Sequence, residues 1–407
     1  MAMTRRNFIK ASIKASIGGV AALYIGQGVS GAQSAPPSFE CPPATLPSAN
    51  EIIVVGVDGS DLTPQYLDDY LSVGATVWQV SGNTMDVERF KEIDTFVQEN
   101  SSKVILAKSY NDILAAKQAG KVAIVAGAQD LYTLDASWQD GIVEDNPLPN
   151  YGNNWLVNPP QTQLPYYYGR GLRIANLAYN FSNFFGGGCL DPETPLSKAG
   201  RYIVGQLQEI GILVDTSHSN ERTSLEIAKM AMSSNRPVVI SHSNPAALDD
   251  NPRNASDRLI ECIAKTGGLI GLNATNDFIL WSRADAPYAE TGPFPPQASI
   301  SQYVDMIDYV VRLVGIDYVG LGTDWTWGDP VGGNDNNAAG GDPAKSFVYP
   351  PDMIHKQAYL EFVANFSEVC QLPNLEAELV RHGYSSTDMA KIMGGNWMRV
   401  FSQAWNS

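Results

Sequence analysis

The sequence predicts an α/β protein folded as a (β/α)8 TIM barrel, and three observations carry that prediction. From residue 51 onward, short β-branched runs alternate with amphipathic helical stretches. Eight runs can be counted, the number such a barrel needs. Two of the four histidines in 407 residues stand at the same place on successive runs. A two-domain α/β protein is the alternative.

In order, the runs are 51–57 (EIIVVGV), 76–81 (TVWQVS), 121–126 (KVAIVA), 172–177 (LRIANL), 211–216 (GILVDT), 237–241 (PVVIS), 268–273 (GLIGLN) and 318–323 (YVGLGT). A ninth, 103–107 (KVILA), reads as an extra element. Helix-like segments such as 221–233 and 255–266 lie between them. In a barrel of this kind the reactive side chains sit at the carboxyl ends of the strands. His218 follows the fifth run in GILVDTSHSN, and His242 follows the sixth in RPVVISHSNP. Adjacent strands would set their imidazoles side by side, a pairing that suits a divalent metal.

The flanking segments have other uses. Residues 1–32 begin with Thr4-Arg5-Arg6-Asn7-Phe8-Ile9-Lys10, which resembles a twin-arginine export signal, and end in small residues around Ala32. The expectation is export through the twin-arginine machinery to the bacterial periplasm, with cleavage near Ala32. Residues 33–50 read as a Pro/Ser-rich linker and 51–407 as a single barrel domain. The formal net charge is −16, and removing the four basic residues of the signal takes it to about −20. Such a surface excludes nucleic acid as a partner, because phosphate binding needs clustered Lys and Arg. Cys41, Cys189, Cys262 and Cys370 are widely spaced and do not reveal their pairing. No hydrophobic tail follows RVFSQAWNS, so no C-terminal lipid anchor is expected.

GILVDTSHSNERT, RPVVISHSNPAAL, NPRNASD, IAKTGGLIGLN, VGIDYVGLGTDW and MGGNWMRVF follow one another in the order and spacing of the membrane dipeptidase (renal dipeptidase) family. The resemblance covers roughly residues 51–403. It implies a (β/α)8 metallopeptidase with zinc, a small peptide or dipeptide substrate, and a homodimer. His218 and His242 match the family's two histidine ligands of one zinc. Arg253 matches the arginine that holds the substrate carboxylate, a task its planar fork suits. Asp324 matches the aspartate at the substrate amine and active-site water.

The family pattern is altered elsewhere. Its first strand ends in a His-x-Asp metal pair; here Gly56 takes the place of the His and Asp58 remains, with Asp61 the choice under a shifted alignment. Its bridging glutamate is replaced by Gln129, and the histidine that polarises the scissile carbonyl by Tyr179. Glutamine is neutral, so one of the two zinc positions is expected to be lost. The expectation is one zinc per chain, held by His218, His242 and a third donor drawn from Asp58, Gln129 or Asp324. Tyr179 donates to a developing oxyanion and Asp324 handles proton transfer. A catalytically inactive descendant that binds a peptide or assists periplasmic maturation is the competing expectation.

Overall fold

The computed structural model describes residues 51–82, 85, 87–131, 164–280, 297–326 and 362–405. The signal, the linker, Trp155, His355 and most of the loops at 130–170 and 324–342 lie outside the described residues. The described strands are β1 (Ile53–Asp58), β2 (Ala75–Gly82), β3 (Val104–Leu106), β4 (Val122–Ala128), β5 (Leu172–Asn176), β6 (Leu213–Asp215), β7 (Val238–Val239), β8 (Ile270–Leu272) and β9 (Val319–Trp325). All pair in parallel, in the order β7-β6-β5-β4-β2-β1-β9-β8. Residue 240 closes the ring: Ile240 N–H donates to Leu269 O at 3.0 Å, and Gly271 N–H donates to Ile240 O at 2.8 Å. The predicted eight-strand barrel is therefore present. β3 pairs only with the first half of β4 and stands off the ring, as its reading as an extra element anticipates.

Helices return the chain between strands. They are α1 (Pro64–Ser72), α2 (Val87–Glu99), α3 (Tyr110–Gln118), α4 (Leu164–Arg170), α5 (Lys198–Ile210), α6 (Glu221–Ser234), α7 (Asp257–Lys265), α8 (Ile300–Val314), α9 (Leu372–Arg381), α10 (Ser386–Ala390) and α11 (Asn396–Ala404). Their starts are set by side-chain caps. Asn220 accepts from Thr223 N–H at 2.8 Å to begin α6, directly after the first Ser-His-Ser frame. Ser299 and Gln302 form a reciprocal capping box at α8.

Strand alternation divides the core in two. Val54, Val77, Val125, Ile174, Leu213 and Val239 point into the barrel, where Trp397 and Phe401 of α11 join them. Val55, Trp78 and Ile124 point outward against Tyr66, Tyr70 and Phe90 of the helices. Trp397 donates its indole N–H to Leu321 O at 2.9 Å. A Cβ on Gly320 would lie 2.7 Å from that indole nitrogen. The MGGNWMRVF stretch thus packs the barrel. Truncating a buried Trp or Phe of this kind costs roughly 3–5 kcal/mol. In the tyrosine triplet Tyr166-Tyr167-Tyr168 of α4, Tyr167 packs on Phe90 with ring centroids 5.7 Å apart, and Tyr168 lies 3.8 Å beneath the Arg173 guanidinium. The triplet secures α4.

Burial pushes the Glu368 carboxyl up to about 7 from its ordinary 4.5, with Asp69 adding to the effect. Between those values the folded protein keeps a proton that the unfolded chain has released. The group's contribution is therefore fully present below pH 4.5 and lost as pH rises to about 7. The expected loss is about 3 kcal/mol. Urea unfolding at about pH 5 and pH 8 is expected to show that loss in the wild type and little of it in Glu368→Gln.

Candidate active site at the carboxyl end of the barrel

One carboxylate ties the ends of β6 and β7 together. Asp215 Oδ1 accepts Ser217 N–H and Ser241 N–H, each at 2.9 Å. Its Oδ2 accepts the Ser241 hydroxyl in a short contact. Ser217 Oγ in turn accepts His242 N–H at 3.0 Å. The end of β5 and the loop after it add a third attachment: Asn176 Nδ2 donates to Ser217 O at 2.8 Å, and Cys189 N–H donates to His218 O at 2.7 Å. These bonds hold His218 at φ 64°, a left-handed conformation that costs a non-glycine residue about 1–2 kcal/mol. They bring His218 Nε2 to 2.8 Å from His242 Nε2.

The partners assign the tautomers. Asn180 Oδ1 accepts only, so His218 Nδ1, 2.7 Å away, carries the proton. Ser241 gives its hydrogen to Asp215, so its oxygen accepts from His242 Nδ1–H at 2.6 Å. The two Nε2 atoms therefore face each other. Burial, and then the Arg253 charge, hold the His242 imidazole well below its ordinary pKa, so its Nε2 stays unprotonated at neutral pH. Ring nitrogens anchored on the outer side, with Nε2 turned inward, are the arrangement of metal-ligating histidines.

Arg253 completes the inner wall. Its Nη2 lies 3.1 Å from His218 Nε2 and 3.3 Å from His242 O, and its Nη1 donates to Ser243 Oγ at 3.3 Å. The guanidinium packs 5.3 Å from the Phe278 ring centroid. It is buried, and no acidic side chain among the described residues pairs with it. Tyr179 stacks on His218 with ring centroids 4.0 Å apart. Asp324, next to last in β9, has φ 58°, with Oδ2 accepting from Asn273 Nδ2 at 3.1 Å.

Asp58 is not brought to this group. A bulge in β1, with Val57 at φ 50°, shifts the register against both neighbouring strands and re-aims the next side chain. The Asp58 carboxylate turns outward to α1. There it accepts the Tyr70 hydroxyl at 2.6 Å, the Tyr66 hydroxyl at 3.0 Å and Ser60 N–H at 3.0 Å. The alternative, Asp61, is exposed. Gln129 lies buried just beyond β4.

A hydrolytic zinc takes three protein ligands and leaves a fourth position open. The two imidazoles supply two. Among the described His, Cys, Asp and Glu side chains, ligand atoms of three groups come within 4.8 Å of one another only at Asp305, Asp308 and His382. That cluster is a helix clasp: His382 Nδ1 meets Asp308 at 2.9 Å, and Nε2 meets Glu378 at 3.2 Å. The sequence reading missed Asn180, Asp215 and Asn273. Asp215, two residues before Ser217 at the end of an apolar run, was the one signal available.

A closed parallel barrel with paired imidazoles and a buried arginine at its carboxyl end has the layout of a barrel hydrolase. A family model described as membrane dipeptidase (peptidase family M19) matches residues 154–338 and 358–407, and the chain belongs to that family. A solved structure described as an amidohydrolase from Pseudomonas aeruginosa is similar at 25% identity and TM-score 0.69, covering 88% of this chain and 98% of that one. An uncharacterized protein in the pqqA 5' region of Klebsiella pneumoniae is 28% identical over 60% of this chain and 76% of its own length. Dipeptidase tcpJ of Claviceps purpurea is 24% identical over 78% of this chain, which spans 60% of that relative.

If Asp58 serves the β1–α1 packing, Tyr70→Phe is expected to cost about 1–3 kcal/mol in urea unfolding, the penalty for removing a donor from a buried acceptor. Metal content per chain should stay at the wild-type value. Metal loss in step with Tyr70→Phe would return Asp58 to the ligand set.

Proposed function

We propose that this chain is a hydrolase of the bacterial periplasm that cleaves dipeptides or related small amides with one metal ion. The observation that carries the reading is Arg253: a buried guanidinium with no acidic partner among the described residues, beside the facing Nε2 atoms of His218 and His242. A buried charge is costly unless something of opposite sign meets it. A ligand carboxylate answers that need bidentately. The family supports a peptide substrate. The Arg5-Arg6 motif supports export, and so does Cys370, which is disulfide-bonded with its partner outside the described residues.

His218 and His242 would hold a zinc ion through Nε2, and the ion when bound would supply Lewis acidity toward a carbonyl and a water. The remaining work falls to the protein. Arg253 orients the terminal carboxylate and so places the amide against the imidazoles. Tyr179, stacked on His218, offers a hydroxyl to the developing oxyanion. Asp324, steadied by Asn273, meets the substrate amine or carries a proton. Gln129 is a neutral oxygen donor available as a third ligand. Apolar walls and the Phe278 face keep water from weakening the Arg253 contact.

A second reading is a binding protein without catalysis. The proximity of Arg253 Nη2 to His218 Nε2 favours it, because a cationic group already stands against one lone pair.

Metal analysis and a dipeptide screen, D-residue substrates included, decide between the two. The hydrolase reading expects one zinc per chain in the wild type and none in His218→Ala/His242→Ala. It also expects kcat/KM to fall about 10- to 150-fold in Arg253→Ala, chiefly through KM, for loss of a charged hydrogen-bonded pair. Tight, Arg253-dependent dipeptide binding without turnover by zinc-loaded protein would establish the second reading.

A further inference from the structure

The two imidazoles are not held in the same way. His218 is fixed by an amide oxygen, which can only accept. His242 is fixed by a serine hydroxyl, which can donate or accept. Something must decide which way that hydroxyl points. Ser241 Oγ has three neighbours: Asp215 Oδ2, His242 Nδ1 and Ser217 Oγ at 3.3 Å. Of these, a carboxylate oxygen is the strongest acceptor and cannot donate. The other Asp215 oxygen is already filled by two backbone N–H donors; burial pushes this carboxyl up, and these bonds with the Ser241 hydroxyl favour its ionised form.

We propose that Asp215 is a positioning residue that sets the tautomer of His242 through Ser241, and so keeps the second Nε2 lone pair turned inward. The Ser241 hydrogen goes to Asp215 Oδ2, the Ser241 oxygen accepts Nδ1–H, and Nε2 is left bare. The geometry is a relay of three buried groups. No proton crosses it during a reaction. It fixes a ground state in which His242 Nε2, 2.8 Å from His218 Nε2, is an acceptor that a cation can meet.

Replacing the acid with its amide should reverse the relay. In Asp215→Asn the side-chain oxygen still accepts the two backbone N–H groups. The new NH2 donates to Ser241 Oγ, and the hydroxyl then turns to His242. His242 must accept at Nδ1, so its proton moves to Nε2. An Nε2–H on His242 donates to His218 Nε2 and closes the inner face with an ordinary hydrogen bond.

The test is 15N NMR of histidine-labelled full-length protein, freed of metal by chelation. Protonated and bare ring nitrogens have well-separated shifts. The chain has only four histidines, and His218→Gln and His242→Gln spectra assign the two of interest. The wild type should show Nδ1–H on both. Asp215→Asn should show Nε2–H on His242 and no change on His218. Zinc affinity by competition with a chelating dye should fall roughly 10- to 100-fold, the usual effect of losing an outer partner of a ligating histidine. Ser241→Ala serves if Asp215→Asn does not fold, with loss of the uniform Nδ1–H state on His242. His242 found as Nε2–H in the wild type, or still Nδ1–H in Asp215→Asn, overturns the proposal. The zinc arm rests on the single-metal reading, whereas the tautomer arm does not. A tautomer switch in a protein that binds no zinc upholds the role of Asp215 and sinks the metal reading.

Discussion

Closure of the barrel between β7 and β8 is the constraint on which the site depends. β7 has only two residues in regular pairing, and one further residue, Ile240, carries the ring across to β8. The crossing is tight. Ser241 O would lie 2.1 Å from a Cβ on Gly271 of β8, so only glycine allows the strands to meet there. Immediately beyond the seam come Ser241 and His242. The place where the cylinder closes is thus the place where the second imidazole is launched, and the Asp215 carboxylate ties that end to the neighbouring strand. Packing beneath and hydrogen bonding above hold the same few residues.

Much of the scaffold could be read from residue pattern, because β-branched runs separated by amphipathic stretches have few other ways to bury both faces. Element ends were less legible. The run at 237–241 shrinks to Val238–Val239 because the residues after it bend into the mouth. The paired histidines and Arg253 were legible for a different reason: rare residue types in a repeated frame stand out against a barrel. Asp58 was misplaced because strand phase was assumed to be unbroken. One residue inserted with φ 50° at Val57 is enough to turn the following side chain to the other face. Asn180 and Asn273 left no trace in the sequence, since asparagines that orient a neighbour are spaced by loops, and loops have no period.

Charge is distributed with the same economy. The chain as a whole is acidic, yet the mouth sets a guanidinium against a pair of imidazoles. Burial keeps His242 uncharged, and the nearby Arg253 works in the same direction. A neutral imidazole pair can serve as ligands or bases, and a protonated pair could do neither. The cation beside the histidines therefore has two effects: it attracts an anionic ligand, and it preserves the lone pairs that the ligand would meet. These effects are inseparable in one residue, which explains why Arg253 lies within 3.1 Å of an imidazole nitrogen rather than at the rim.

Val57, Asn180, His218 and Asp324 share a left-handed backbone, and all four lie at or just past strand ends around the mouth. Each would be relieved by glycine, and His218 most directly concerns chemistry. Selection for thermal robustness alone would therefore erode this rim first, since the substitutions that relax the backbone also remove or swing the side chains that line it. A laboratory lineage evolved only to survive heating would be expected to gather changes at these four positions and to lose its ligand as it did so. Such a lineage would show which parts of the rim are maintained by function and which by folding.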